Sequence, residues 1–229
     1  MNALTILNGG VKLPWNVVMA LQTDRGGWVA IIGILICIIV PYILGSLNFA
    51  IIISRIFFRD DIRKYGSGNA GMTNMLRTYG KIPAAATLLL DMSKGLLAVI
   101  FGRFIFWEIG AAVASLFVVL GHMFPCFYKF KGGKGVATTA MVALATNWVV
   151  FLLLLAVFLI IVIGTKYVSL GSVIGVALYP VFLARFYNTG WNVLAALIIA
   201  AFVIFMHRSN IKRIWNGTES KISLKSKKK

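Results

Sequence analysis

Apolar residues run in long blocks at 28–53, 82–106, 111–128, 136–165, 167–184 and 191–206, with polar residues gathered in the gaps. A helix of ~20 apolar residues is long enough to cross the hydrocarbon layer of a bilayer. The pattern predicts an all-α, polytopic integral membrane protein. Within the first block, Pro41 and Gly45 are placed to kink or end the helix. The second and third blocks are joined by a minimal turn, Trp107–Gly110, and form a hairpin. The longest block has one soft spot, Thr146-Asn147-Trp148. Residues 185–190 break the pattern between the last two blocks.

Composition agrees. Of 229 residues, 60% are apolar and 13% charged, against roughly 45–50% and 25% in soluble domains. That excludes a disordered chain, a disulfide scaffold and an ordinary cytosolic enzyme. Cys37 and Cys126 both lie in apolar runs and read as small packing residues. The net charge is +17. In a soluble protein that would suggest nucleic acid. Here the charge falls between and after the apolar blocks, which points to the cytoplasmic side of a membrane and to no nucleic-acid partner. Residues 1–27 lack a basic stretch leading into a short apolar core and cleavage site, so no signal peptide is read.

The charge also sets the topology. Segment 54–81 carries Arg55, Arg59, Arg63, Lys64, Arg77 and Lys81 against Asp60 and Asp61. Segment 129–135 has Lys129, Lys131 and Lys134 and no acid. The tail has Arg208, Lys212, Arg213, Lys221, Lys225 and Lys227–Lys229 against Glu219. All three are expected on the cytoplasmic side. Residues 136–206 then start and finish on that side, which requires an even number of crossings. Three apolar runs occupy the stretch, so one is double, and block 136–165 folded back at Asn147 is the candidate. The expected result is seven transmembrane helices, with the N-terminus outside and the C-terminus cytoplasmic. Three parts follow: an extracytoplasmic N-terminal segment 1–27, a membrane domain 28–213 and a basic cytoplasmic tail 214–229. No repeat at a fixed period and no second domain is evident.

Four polar clusters map to the cytoplasmic face under this topology. Gly66-Ser67-Gly68-Asn69-Ala70-Gly71-Met72-Thr73-Asn74 packs glycines and donors into nine residues. Such a loop can turn consecutive N–H groups toward an anion, with Arg77 about one turn farther on. Lys131-Gly132-Gly133-Lys134-Gly135 leads into a helix, a generic anion site that lacks the Walker A spacing. His207 and Asn210 share a helix face at the end of the last block. Ser169-Leu170-Gly171-Ser172 sits at another cytoplasmic end. Asp91 and Lys94, three apart within a span, read as a structural ion pair. A composite anion site follows, rich in Ser, Asn, Arg, Lys and His and nearly free of carboxylates. That composition argues against Mg²⁺ or Ca²⁺, and the scattered His and Cys do not suggest zinc. No metal or cofactor is expected. A transporter for a small phosphorylated anion remains open on these residues, as does a different lipid enzyme. The transporter should show inverted repeats and charges deep in its spans, where little beyond Asp91 and Lys94 is found. The H-x-x-x-x-D motif of soluble-type acyltransferases is absent, as is the acid-rich motif of CDP-alcohol phosphotransferases.

The motifs D-x-R-x-x-G-S-G-N-x-G-x-T-N (Asp61–Asn74), G-H-x-F-P through F-K-G-G-K-G-V-A-T (Gly121–Thr138), S-L-G-S (Ser169–Ser172) and H-x-x-N-I-x-R (His207–Arg213) occur in order. Together they resemble the bacterial acyl-phosphate-dependent glycerol-3-phosphate acyltransferases, the PlsY family. The resemblance runs from about Gly45 to Lys221. Ala70 stands where the family often has proline, and Met72 where alanine is usual. The resemblance implies a seven-span protein of the bacterial inner membrane, with its active site on the cytoplasmic face. It implies transfer of a fatty acyl group from acyl phosphate to the 1-hydroxyl of sn-glycerol 3-phosphate. The products are lysophosphatidate and phosphate, in the first step of bacterial phospholipid synthesis, and a functional link to an acyl-ACP phosphate transacylase is implied. Carried over by motif, Ser67, Arg77, Lys134 and Ser172 hold phosphate groups. Asn69, Thr73, Asn74 and the Gly132–Gly133 backbone shape the pocket. His207 and Asn210 position the glycerol phosphate or the transition state. The family resemblance makes the donor phosphate a proton acceptor, with His207 as general base the competing idea.

Overall fold

The structure, a computed structural model, describes residues 26–187 and 190–222. The expected N-terminal segment falls almost wholly outside the described residues, as does the end of the basic tail. Helix α1 is Gly26–Ser46. Asn48 then starts a second helix, α2 (Phe49–Phe58), its side chain accepting the Ile51 N–H. The first apolar block is therefore two helices, because a polar cap interrupts it. A 3₁₀ turn (Ile62–Lys64) and helix α3 (Met72–Tyr79) carry the first glycine-rich motif.

Helix α4 (Lys81–Met123) is broken at Phe106 and Trp107, whose backbone angles leave the helical region. The break makes it the hairpin expected from blocks two and three, with arms 81–105 and 108–123. Gly102 and Gly110 face one another, and a Cβ on either would strike the other's backbone. Small residues thus bring the arms into backbone contact, as helices in membranes often do. The long block 136–165 breaks at Asn147 into α5 (Val136–Thr146) and α6 (Trp148–Thr165). Asn147 ends the first and caps the second, accepting from Val149 N at 2.9 Å and Val150 N at 3.1 Å. Helices α7 (Val168–Phe186), α8 (Gly190–Met206) and the short α9 (Arg208–Trp215) complete the described chain, which contains no strand. Four of these segments are long and apolar enough to cross a membrane, five if the bent pair α8–α9 is one span.

Contacts fix the helix directions. Gly33 packs on Phe106 and Gly45 on Val118, so α1 and the second arm run the same way. Thr138 Oγ1 donates to Asp91 O at 3.1 Å, and Arg103 donates to Ala145 O at 3.2 Å, so α5 follows the first arm. Gly171 meets Phe158 while Gly175 meets Leu154, so α7 runs opposite to α6. Ala196 shares a cluster with Tyr179, and Val203 shares one with Val176, so α8 runs back along α7. The ends at Ser46, Lys81, Met123, Val136, Thr165, Val168 and Met206 therefore gather at one face. At the opposite face Arg103 pairs with Glu108 at 3.1 Å, and Asn192 donates to Glu108 at 2.8 Å. The shared core is small and aliphatic, built from Val99, Val118, Val142, Ile199 and Val203. Helix α6 buries only Val150 and otherwise presents an apolar surface outward.

Candidate active site

The gathered helix ends enclose a cavity of ≈ 380 Å³. Its polar end is built by four separate pieces of chain. In the first, Gly66 adopts φ +56°, and a Cβ there would collide with the Asn74 side chain. That close approach lets Asn74 brace the loop: Oδ1 accepts from Ser67 N at 3.0 Å, while Nδ2 donates to Tyr65 O at 2.9 Å and Ile62 O at 3.2 Å. Arg63 ties the loop to the second piece through Tyr128 O (2.9 Å) and Lys131 O (3.0 Å). Asp61 grips Arg63 at 2.7 Å, and the guanidinium holds that carboxyl well below the usual range. Ser67 and Arg77 are exposed at the cavity mouth, and Asn69 and Thr73 line it beside them.

In the second piece, Gly133 N donates to His122 O at 3.1 Å and Gly132 N to Met123 O at 3.0 Å. These two glycines do not line the cavity. Their amides dock the loop on the end of the α4 hairpin, so they set its course and are not available to a ligand. A Cβ on Gly133 would strike the His122 ring and Ala70 O. Lys134 follows, reaching into the cavity to donate to Asn210 Oδ1. Burial pulls its ammonium down to about 8.

The third and fourth pieces face the first two. Ser172 and Ser169 come from the first turns of α7, and Ser172 Oγ donates to Val168 O at 2.9 Å. His207 caps α9, and both it and Asn210 are buried in the cavity wall. His207 Nδ1 lies 2.7 Å from Val203 O. A carbonyl only accepts, so Nδ1 carries the proton and Nε2 is left as an acceptor. Every residue expected from the sequence except Gly132 and Gly133 thus lines one cavity.

Four residues of the cavity wall were not expected there from the sequence. Glu219 looked like a stray acid in a basic tail. Residues 216–222 instead fold back, with Ile222 N bonding Lys166 O at 2.9 Å. The Glu219 carboxylate accepts from Asn210 (2.7 Å), Ser169 (2.8 Å) and Arg213 (2.7 Å). Burial raises its pKa, but these donors outweigh it and hold the carboxyl below its ordinary value. Asp91 and His122 also line the cavity. The site is therefore not nearly free of carboxylates, although no group of three or more His, Cys, Asp or Glu among the described residues is placed for a metal. Thr139 lines the wall as well, one turn into α5. Only the turn at Gly217–Thr218, invisible as periodicity, could have brought Glu219 home.

Away from the polar end the cavity becomes apolar. Leu88, Met92, Ala140, Phe151, Leu154 and Tyr179 are among the residues that wall it. The site joins a cluster of charged and neutral polar groups to an apolar slot.

Comparison with known proteins agrees with this geometry. A model of the family described as glycerol-3-phosphate acyltransferase matches residues 35–217. The chain is 43% identical over 188 residues to the glycerol-3-phosphate acyltransferase of Thermoanaerobacter pseudethanolicus, covering 82% of this chain and 95% of that one. It is 44% identical over 197 residues to that of Clostridioides difficile, covering 83% and 96%. The crystal structure of PlsY (YgiH), an integral membrane glycerol 3-phosphate acyltransferase, in its glycerol 3-phosphate form superposes with a TM-score of 0.80 at 35% identity, covering 83% of this chain and 96% of that one. The lysophosphatidic acid form superposes with 0.77 at 34%, covering 83% and 95%. With four ordered motifs meeting in one cavity and a family match spanning most of its length, the chain belongs to the glycerol-3-phosphate acyltransferase family.

Proposed function

We propose that the protein transfers a fatty acyl group from acyl phosphate to the 1-hydroxyl of sn-glycerol 3-phosphate, releasing lysophosphatidate and phosphate. The observation that carries this is the two-ended cavity. Its polar end offers Ser67, Arg77, Lys134, Ser172 and Asn210, suited to the phosphates of both substrates. Its apolar end is suited to an alkyl chain. Acyl phosphate is an activated mixed anhydride, so orientation and charge stabilisation suffice without a covalent intermediate. No cofactor or metal enters this scheme. His207 Nδ1 is held by a carbonyl and not by a carboxylate that would strengthen it as a base. Its Nε2 makes no hydrogen bond to another described residue and can accept the glycerol hydroxyl, a positioning role, while the leaving phosphate takes the proton.

In the membrane we propose seven crossings: α1, the two α4 arms, α5, α6, α7 and α8. The short α5 has 11 residues. The site face carries Arg55, Arg59, Arg77, Lys129, Lys131 and Lys134 and the opposite face Arg103 and Arg185, which supports a cytoplasmic site in a bacterial inner membrane. Residues 1–27 then lie outside and 214–229 inside, and the acyl donor would come from an acyl-ACP phosphate transacylase. The test is purified protein with palmitoyl phosphate and glycerol 3-phosphate, following phosphate release. Turnover is expected with palmitoyl phosphate and not with palmitoyl-CoA. Turnover with the thioester alone would overturn the donor assignment.

A further inference from the structure

Acyl transfer develops negative charge at a point the phosphate-binding groups do not serve. The glycerol hydroxyl oxygen attacks the carbonyl carbon, and the C=O pair moves onto the carbonyl oxygen. Collapse restores C=O and breaks the bond from carbon to the phosphate oxygen. The phosphate leaves with that electron pair and takes the hydroxyl proton. The carbonyl lies between the phosphate and the alkyl chain, so its donors must lie between the cavity's polar and apolar ends.

We propose that the ring Nε2–H of His122 and the hydroxyl of Thr139 are that pair of donors. The inference rests on the acyl-transfer reading above, but not on which leaving group the donor carries. Thr139 stands one turn beyond Gly135 on α5, between Lys134 on the polar side and Ala140 and Ala143 on the apolar side. It is 6% exposed, and its hydroxyl has no hydrogen-bond partner among the described residues. A buried hydroxyl left unpaired in a cavity wall points to a ligand atom.

His122 is 3% exposed and lines the same cavity. Its Nδ1 is 2.8 Å from Lys94 Nζ and 3.4 Å from Asp91 Oδ1. Lys94, 1% exposed, also lies 2.8 Å from Asp91 Oδ1 and donates to Gly45 O and Leu47 O. An ammonium only donates, so Nδ1 accepts and the ring proton sits on Nε2. Nε2 lies against Gly133, where any side chain would displace it, and makes no hydrogen bond to another described residue. The same ammonium neutralises Asp91, so the carboxylate does not oppose an incipient oxyanion. The buried trio therefore does more than pair two charges: it presents a neutral imidazole as a donor, from the residue whose carbonyl also anchors the Lys134 loop. Preorganised donors of this kind act where charge appears in the transition state.

The decisive variant is Thr139→Val, which keeps the shape and removes a hydroxyl that bonds no other described residue. Its kcat should fall roughly 100-fold, with KM for both substrates within about twofold and an unchanged melting temperature in detergent; Thr139→Ser should recover most of the rate. A second readout is the infrared carbonyl band of a bound, ¹³C-labelled acyl phosphonate. It should lie lower on the wild-type protein than in detergent alone, and move back toward the free value in Thr139→Val and in His122→Ala. His122→Gln, which restores an N–H near Nε2, should shift it down again. An unchanged kcat in Thr139→Val, or a band that ignores both residues, would overturn the proposal. If the wild type accepts only a thioester donor, the acyl phosphate assignment fails, and the loss of kcat measured with that donor still tests the pair.

Discussion

At the scale of single residues, the proposed reaction divides the polar chemistry between Lys134 and His207, and each can be tested alone. Lys134→Ala removes a charge-assisted contact of roughly 1.5–3 kcal/mol, which is about ten- to hundredfold in kcat/KM. Lys129→Ala should change little, because Lys129 is exposed on the outer turn of the loop and does not line the cavity. Unchanged kinetics in the first variant beside a crippled second would reject the phosphate-cradle reading. Because burial holds the Lys134 ammonium at about 8, the charged form persists below that pH and is lost above it. The kcat/KM for glycerol 3-phosphate should therefore fall as pH rises through about 8, and Lys134→Arg should move that limb upward at partial activity. His207→Ala should raise KM for glycerol 3-phosphate while the pH profile keeps its shape. A loss relieved at alkaline pH would instead make the imidazole a base. Most of these residues were legible from sequence because motif spacing puts donors at loop and helix ends. Glu219 was not, since a lone acid in a basic tail carries no periodic signal and only a tight turn returns it to Asn210 and Ser169.

At the scale of elements, hydrophobic pattern and charge parity located the α4 hairpin and the break at Asn147. Both are places where a polar residue or turn interrupts an apolar block, so the chain itself marks them. The first block was expected to kink or end at Pro41 and Gly45, and α1 runs through Pro41 and ends at Ser46, beside Gly45; its restart as α2 was missed, because Asn48 is one polar residue amid apolar neighbours and its capping role shows only in three dimensions. The cap at Asn147 is the more consequential. It satisfies two N–H groups of α6 at a point where the chain reverses between apolar helices. Asn147→Ala should cost about 1 kcal/mol, within the usual 0.5–2 for a lost cap, and more if no water reaches the freed donors. The melting temperature in detergent should drop by a few degrees, while Asn147→Asp, which keeps the acceptor, should stay near wild type. An Asn147→Ala protein as stable as wild type would mean that packing of Ala143 and Val150 alone holds the turn.

At the scale of the whole molecule, parity and geometry meet on one measurable quantity, the side of the membrane on which the site opens. Contacts place Cys126, Lys129 and Ser220 at the face where the cavity lies, and Gly190 at the opposite face, independently of any charge rule. In the proposed topology the more basic face is the cytoplasmic one. The native cysteines suit the test: Cys37 is buried and Cys126 exposed. With Cys37→Ala, Cys126 becomes a natural reporter. It should react with a membrane-impermeant maleimide only after the inner membrane is opened. With both native cysteines replaced, Ser220→Cys should behave like Cys126. Gly190→Cys, whose Cβ meets nothing, should react in intact spheroplasts. Labelling of Cys126 and Gly190→Cys from the same side would break the alternation of helix directions, and with it the even number of crossings in 136–206. Labelling of Cys126 and Ser220→Cys from outside, with Gly190→Cys protected, would keep the bundle and invert it. The phosphate-binding end would then open away from the cytoplasm, and the proposed supply of acyl phosphate and glycerol 3-phosphate from that side would fail.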